Sequence, residues 1–142
     1  MKPLFIFITT ILVSQFTFAD GDAHENDVML QVLEGLSLGN GVKAAVAEFY
    51  HGHGRYPVSN TEAGLVEPHL ITGEYVASAT VLSVGGKISI AFSVETAPEI
   101  TSRTLLLVPT DTDGSISWEC LSPNIDDKYL PMACKKNQLI SF

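Results

Sequence analysis

Two cysteines near the C-terminus are the residues whose type and spacing first suggest chemistry. Cys120 and Cys134 enclose 13 residues. In an oxidising compartment such a pair usually forms a disulfide, and closing a loop of about 15 residues stabilises a fold by roughly 3 kcal/mol in the chain-entropy description. The alternatives are a two-thiol metal site and two free thiols. Because neither a CxxC spacing nor a nearby histidine supports a metal, the sequence predicts a disulfide.

Two histidines separated by one residue form the other suggestive motif. His51 and His53 follow Glu48 by about one helical turn, and such a set could in principle bind a metal ion. A third and a fourth ligand are not evident in the sequence. Histidines also complement the dipole at the C-terminal end of a helix, and we favour that interpretation.

The remaining polar residues do not match a catalytic or cofactor motif. Asp111-Thr112-Asp113-Gly114 is only a fragment of the calcium-loop pattern Asp-x-Asp-x-Asp-Gly. The serines have no histidine and aspartate partners at motif spacing, and glycine-rich phosphate loops are absent from the sequence. We therefore expect no catalytic residue, no metal site and no cofactor, and a protein that is not an enzyme.

The N-terminal segment has the pattern of an export signal. Lys2 is followed by a mostly apolar stretch to Phe18, and Thr17 and Ala19 are the small residues expected before a cleavage site. The sequence predicts a signal peptide over residues 1–19, cleaved between Ala19 and Asp20, and one domain over residues 20–142 without a stable membrane span. The alternative is an uncleaved N-terminal anchor. Export implies a periplasmic, secreted or cell-surface location.

The charge of the chain limits its partners. The full sequence has a formal net charge of −8 at pH 7, and removal of residues 1–19 with Lys2 changes it to −9. Nucleic acids and anionic membranes are polyanions that bind basic surfaces. The sequence therefore argues against both as partners.

Hydrophobic periodicity predicts one long helix at the start of the domain. From Asp27 to about Tyr50 apolar residues recur at intervals of three and four, which indicates one buried face; they are Val28, Val32, Leu36, Leu38, Val42, Ala45, Val46 and Phe49. Gly39-Asn40-Gly41 lies within this pattern and predicts a bend. Residues 51–74 are predicted to be an irregular connection.

The period then changes to two, which predicts four antiparallel strands. They cover Tyr75–Val84, Lys87–Ser93, Arg103–Val108 (ended by Pro109) and Ser115–Cys120. Tight turns are predicted at Gly85-Gly86 and Asp113-Gly114, and one face of the first strand is predicted to comprise Val76, Ser78, Thr80 and Leu82. Trp118 and Tyr129 are expected to pack near the disulfide. One amphipathic helix packed on a four-stranded antiparallel sheet is an α+β domain.

The order and spacing of several segments resemble type IVa pilins of Gram-negative bacteria over residues 28–134. The segments are QVLEGLSL (31–38), VKAAVAEFY (42–50), GRYP (54–57), AGL (63–65), ITGEYV (71–76), LLLVP (105–109), ISWEC (116–120) and KYLPMAC (128–134). The resemblance implies the globular head of a pilin. It also implies two named segments: the αβ-loop, here residues 54–74, and the D-region closed by Cys120 and Cys134, a surface often used for contacts.

The N-terminal half of a polymerising pilin has no counterpart in this sequence. That half begins with a leader ending in glycine and a Phe-Thr-Leu-Ile-Glu run, and its apolar helix packs in the filament core. We therefore expect a pilin-like head that cannot hold a place in a filament by the usual helical bundle. The resemblance implies an interaction module of type IV pilus assembly, regulation or adhesion, with pilins, minor pilins or assembly proteins as partners. The alternative is a secreted adhesin or ligand-binding protein that reuses the scaffold.

Overall fold

One long helix opens the described part of the chain. The computed structural model describes residues 20–135, and α1 spans Asp20–His53. Within the described residues the helix therefore already includes the seven residues before the predicted start at Asp27, and it ends three residues after Tyr50. The residues before Asp27 lack apolar periodicity, which is why the sequence pattern did not place them in the helix. His24 Nε2 also lies 2.8 Å from Glu99 Oε1, which ties this end of α1 to the rest of the fold.

Glycines inside α1 allow the helix to lie very close to the sheet. The helix continues uninterrupted through Gly39, where a bend was predicted. A Cβ atom at Gly39 would lie 2.6 Å from Leu107 Cδ1 and 2.7 Å from Ile90 Cδ1. Gly39 is buried, so its function is close approach of the helix to the sheet, which outweighs its lower helix propensity.

Four strands follow as one antiparallel sheet, as predicted. They are β1 (Val76–Val81), β2 (Ile88–Phe92), β3 (Thr104–Thr112) and β4 (Ser115–Leu121), in the spatial order β1-β2-β3-β4. Three single-turn helices complete the structure at Pro68–Leu70, Asp127–Tyr129 and Met132–Cys134. The α+β architecture, the long helix and the meander are therefore confirmed.

The predicted faces of β1 are wrong because the strand contains a bulge. Val76 pairs with Phe92, but Ser78 pairs with Ala91, so Ala77 has no counterpart. An extra residue shifts the alternation of the strand by one position. The buried residues of β1 are consequently Val76, Ala79 and Val81.

The first hairpin is longer than predicted. The Leu82 N–H donates to the Lys87 carbonyl at 2.8 Å, so the loop comprises four residues, Ser83–Gly86. Gly85 and Gly86 have φ values of 69° and 64° and supply the left-handed positions of that loop. The predicted two-residue turn is therefore wrong, although its glycines do lie in the turn.

β3 continues past the proline that was predicted to end it. Ile88, at the start of β2, pairs with Leu107, so β3 residues beyond this point have no β2 residue opposite them. Pro109 pairs with Trp118 of β4. Proline is tolerated in a strand where no ladder hydrogen bond needs its missing N–H.

The core lies between α1 and the inner face of the sheet. Val28, Val32, Val42 and Val46 supply the helix side, whereas Leu36, Leu38, Ala45 and Phe49 are only partly buried. The strands contribute Ile88, Ile90, Phe92, Leu105 and Leu107, and the C-terminal segment contributes Ile125, Tyr129 and Leu130. Tyr129 and both cysteines belong to this core, and Trp118 packs at its margin.

Candidate interaction surface

One buried asparagine fixes the αβ-loop to the sheet. Asn60 is 3% exposed. Its Nδ2 donates to the carbonyls of Ala79 (2.9 Å) and Val66 (3.1 Å), and its Oδ1 accepts from the Val81 N–H (2.7 Å). The side chain thus satisfies the outer edge of β1 as a neighbouring strand would. The sequence alone does not reveal this role, because a single Asn in a polar loop carries no local signal of burial.

An ion pair holds the first half of the αβ-loop. Both terminal nitrogens of Arg55 bond to the carboxylate of Glu62, and the Val58 N–H donates to Glu62 Oε2 at 2.7 Å. The hydrogen bonds from Arg55, followed by that from Val58, lower the pKa of Glu62 to about 2. A bidentate guanidinium–carboxylate pair is directional, so it fixes the loop geometry as well as its charge.

A carboxylate on α1 holds the end of the αβ-loop. Glu34 Oε1 accepts the Glu74 N–H at 2.6 Å, and Glu34 Oε2 accepts the Tyr75 N–H at 2.9 Å. A Cβ atom at Gly73 would lie 1.7 Å from Glu34 Oε1, so a larger residue would break this contact. The loop is therefore anchored at its start, its middle and its end.

The anchored αβ-loop exposes apolar side chains to solvent. Val66 is 55% exposed and Leu70 is 61% exposed. Between α1 and the loop lies an open groove of about 430 Å³ that is mostly apolar; it is lined by Leu38, Gly41, Val42, Gly64, Leu65, Val66 and Ile71. Exposed apolar surface on a fixed backbone is typical of a contact site.

The D-region is closed by the predicted disulfide. Cys120 and Cys134 are bonded, with their Cα atoms 4.4 Å apart. Within the segment Tyr129 and Leu130 are buried, and Asp126 Oδ1 accepts the Lys128 N–H at 3.1 Å. The segment is therefore packed on its inner side, and it exposes other residues, of which Met132 is 67% exposed.

Hydrogen bonds tie the D-region to β3. Ser122 Oγ donates to the Thr104 carbonyl at 2.6 Å, and the Thr104 N–H donates to Asn124 Oδ1 at 3.0 Å. Ser122 Oγ also accepts the Ile125 N–H at 3.0 Å. Lys128 Nζ lies 3.5 Å from Glu25 Oε1 of α1, so contacts to both layers of the fold position the D-region.

The histidine and aspartate motifs have local structural partners. The rings of His53 and Phe49 stack at 3.9 Å, and His53 Nδ1 bonds to the Phe49 carbonyl at 3.0 Å. Asp111 accepts from the Tyr50 hydroxyl at 2.8 Å and from the Gly114 N–H at 2.9 Å. Within residues 20–135, His, Cys, Asp and Glu do not form a group of three that could hold a metal ion.

The predicted export signal lies outside the described residues. Residues 1–19, with Ala19 on one side of the predicted cleavage site, are not part of the described structure, which starts with Asp20. Between Asp20 and Lys135, no helix is long and apolar enough to cross a membrane.

Comparison with known proteins matches the sequence of this chain to one family. A family model described as pilin, a bacterial filament protein, matches residues 31–135. The fimbrial protein EcpC of Eikenella corrodens is 40% identical over 108 residues, covering 74% of this chain and 69% of the relative. The type IV major pilin protein PilE1 of Neisseria gonorrhoeae is 33% identical over 124 residues, covering 75% and 74%. A fimbrial protein of Neisseria meningitidis serogroup A is 32% identical over 127 residues, covering 74% of each chain.

The family match includes most of α1, the αβ-loop, the whole sheet and the D-region. It therefore covers both segments that the resemblance picked out, with the disulfide in place. The chain belongs to the pilin family of bacterial filament proteins.

Proposed function

We propose that the chain is a non-catalytic protein–protein interaction module of the type IV pilus system. Residues 1–19 act as a signal peptide cut after Ala19, and the domain from Asp20 onward works in the periplasm or at the cell surface. Its partners are pilins, minor pilins or assembly proteins. In this way the domain serves pilus assembly, its regulation or adhesion.

The observation that carries this proposal is the anchored αβ-loop with its exposed apolar residues. Glu34, Asn60 and Glu62 hold the backbone of the loop, while Val66 and Leu70 remain exposed. A surface that is ordered before binding loses little conformational entropy on association. Such a surface supports recognition of a partner protein.

The charge of the domain supports the same class of function. The domain from Asp20 onward carries all 16 acidic residues of the sequence and, without Lys2, 7 of its 8 basic ones. An acidic surface disfavours nucleic acid as a ligand and leaves protein partners with basic or apolar patches as the better fit.

The test is affinity purification of the domain from periplasmic extract. The double variant V66S/L70S removes exposed apolar groups of the αβ-loop, and V94S is the matched control, because Val94 is 75% exposed on the β2–β3 connection. We expect the parent and V94S to recover pilus proteins and V66S/L70S to lose them. Failure of the parent domain to recover any pilus protein would contradict the proposal, whereas recovery of a non-pilus surface ligand would favour the adhesin alternative.

A further inference from the structure

The alternation of hydrogen bonds along the strands shows which backbone groups of β4 point outward from the sheet. In antiparallel pairs, alternate residues bond to one neighbour and the residues between them point to the other side. The Phe92 N–H donates to the Arg103 carbonyl. Arg103, Leu105 and Leu107 therefore bond to β2, and the alternate β3 residues Leu106, Val108 and Thr110 bond to β4.

The same alternation of hydrogen-bonding residues continues into β4. Val108 pairs with Glu119 and Thr110 pairs with Ser117, so Ser117 and Glu119 bond to β3. Ile116 and Trp118 lie between these positions, and their N–H and C=O groups point away from the sheet. Within residues 20–135, no hydrogen bond reaches those outward groups.

The side chains beside this edge define two different strips. Ile116 and Trp118 point to the inner face, and Lys43 Nζ of α1 lies 5.8 Å from the centre of the Trp118 ring. Ser115, Ser117 and Glu119 point to the outer face and are exposed. An added strand would therefore meet the Ile116 and Trp118 side chains, with the Lys43 ammonium nearby, on one side and a hydroxyl- and carboxylate-bearing surface on the other.

The charge of the β3–β4 hairpin indicates which charge a partner strand needs in order to bind beside β4. Residues Thr104–Leu121 contain three carboxylates, Asp111, Asp113 and Glu119, and neither lysine nor arginine. A second copy of this chain would bring the same carboxylates together. A segment with basic residues would complement them.

We propose that the outward edge of β4 at Ile116–Trp118 binds an extended segment of a partner protein by strand addition, with apolar residues facing Trp118 and basic residues facing Glu119. Main-chain hydrogen bonds would supply affinity, and the two strips of side chains would supply specificity. This inference deepens the proposed function, because it names a surface on which a partner segment would bind.

The experiment uses Trp118, the only tryptophan of the chain, as a fluorescence reporter on the edge itself. A short acetylated peptide of alternating lysine and valine is titrated into the purified chain that starts at Asp20, and a peptide of alternating glutamate and valine is the control. We expect a saturable change in emission and an affinity about tenfold higher for the lysine peptide at low salt. Added salt should reduce the difference.

Two variants separate strand addition from other binding. I116P removes an outward N–H without removing a bond to β3, whereas I116A keeps that N–H and is the matched control. We expect I116P to weaken lysine-peptide binding about tenfold and I116A to stay within about twofold. E119K should reduce the preference for the lysine peptide. Circular dichroism and thermal unfolding establish that each variant is folded.

Four outcomes would overturn the inference. Equal binding by I116P and I116A would show that the peptide does not use the edge. A preference for the glutamate peptide would contradict the charge argument. The chain that starts at Asp20 could fail to bind the lysine peptide while a variant of it ending at Lys135 binds, or while it forms a concentration-dependent dimer. Either result would show that the edge is occupied by a segment of this chain or by a second copy. Recovery of pilus proteins by I116P in the affinity purification would show that these proteins do not bind through the β4 edge, and the proposed function would still hold.

Discussion

The two edge strands of the sheet, β1 and β4, differ in how far the described chain covers their outward backbone groups. At β1 the αβ-loop lies against the strand, and the Asn60 side chain bonds to the Ala79 carbonyl and the Val81 N–H. At β4 the D-region meets the strand at Cys120, where the disulfide holds it, and the edge at Ile116–Trp118 has no hydrogen-bond partner within residues 20–135. Unpaired edges are sites of strand addition unless a protein covers them. The β1 edge is therefore closed to an added strand, whereas the β4 edge at Ile116–Trp118 could accept one.

The largest expected effect comes from removing the disulfide. In C120S/C134S the D-region is no longer covalently joined to the edge strand β4, so the constraint that this bond places on the unfolded chain is lost. We expect the free energy of unfolding to fall by about 3 kcal/mol, as measured by chemical denaturation under non-reducing conditions. If the parent protein loses no stability on reduction, the D-region is held by packing and hydrogen bonds alone.

Asn60 tests the closed edge. N60A leaves the buried Val81 N–H without its acceptor, so we expect a loss of about 2 kcal/mol in unfolding free energy and a greater tendency to associate through β1. T61A is the matched control, because Thr61 is the next residue and is exposed. Equal stability of N60A and T61A in chemical denaturation would show that Asn60 does not close the edge.

Acid should destabilise the αβ-loop, which covers the β1 edge, by protonating Glu62. The pKa of this group is lowered to about 2 by Arg55 and the Val58 N–H. Its contribution to folding stability is therefore complete above the usual carboxyl pKa of 4.5 and is lost as the pH falls toward 2. We expect thermal stability of the parent to decline over that range and the decline to be shallower in E62Q. Parallel pH profiles of the parent and E62Q would contradict this role.

Local patterns predicted the elements but not the contacts that act over distance. The three- and four-residue spacing of valines identified α1, and the period of two identified all four strands. The Ala77 bulge and the extension of β3 through Pro109 depend on what lies opposite each residue in the sheet. Neither is encoded in the sequence around these residues.

The candidate surfaces show the same division. The disulfide could be predicted from two cysteines and a predicted export signal, and the αβ-loop and D-region followed from the family resemblance. The role of Asn60 depends on strand residues about 20 positions away in sequence. The open edge at Ile116 and Trp118 depends on the alternation of hydrogen bonds across two strand pairs, β2–β3 and β3–β4.

Amide hydrogen exchange of the chain from Asp20 onward tests the difference between the two edges most directly. Val81, Ile116 and Trp118 all have outward N–H groups on edge strands. We expect Asn60 to protect the Val81 N–H, β3 to protect the N–H groups of Ser117 and Glu119, and the N–H groups of Ile116 and Trp118 to exchange fast. Protection of Ile116 and Trp118 in the free protein, or fast exchange at Val81, would contradict it.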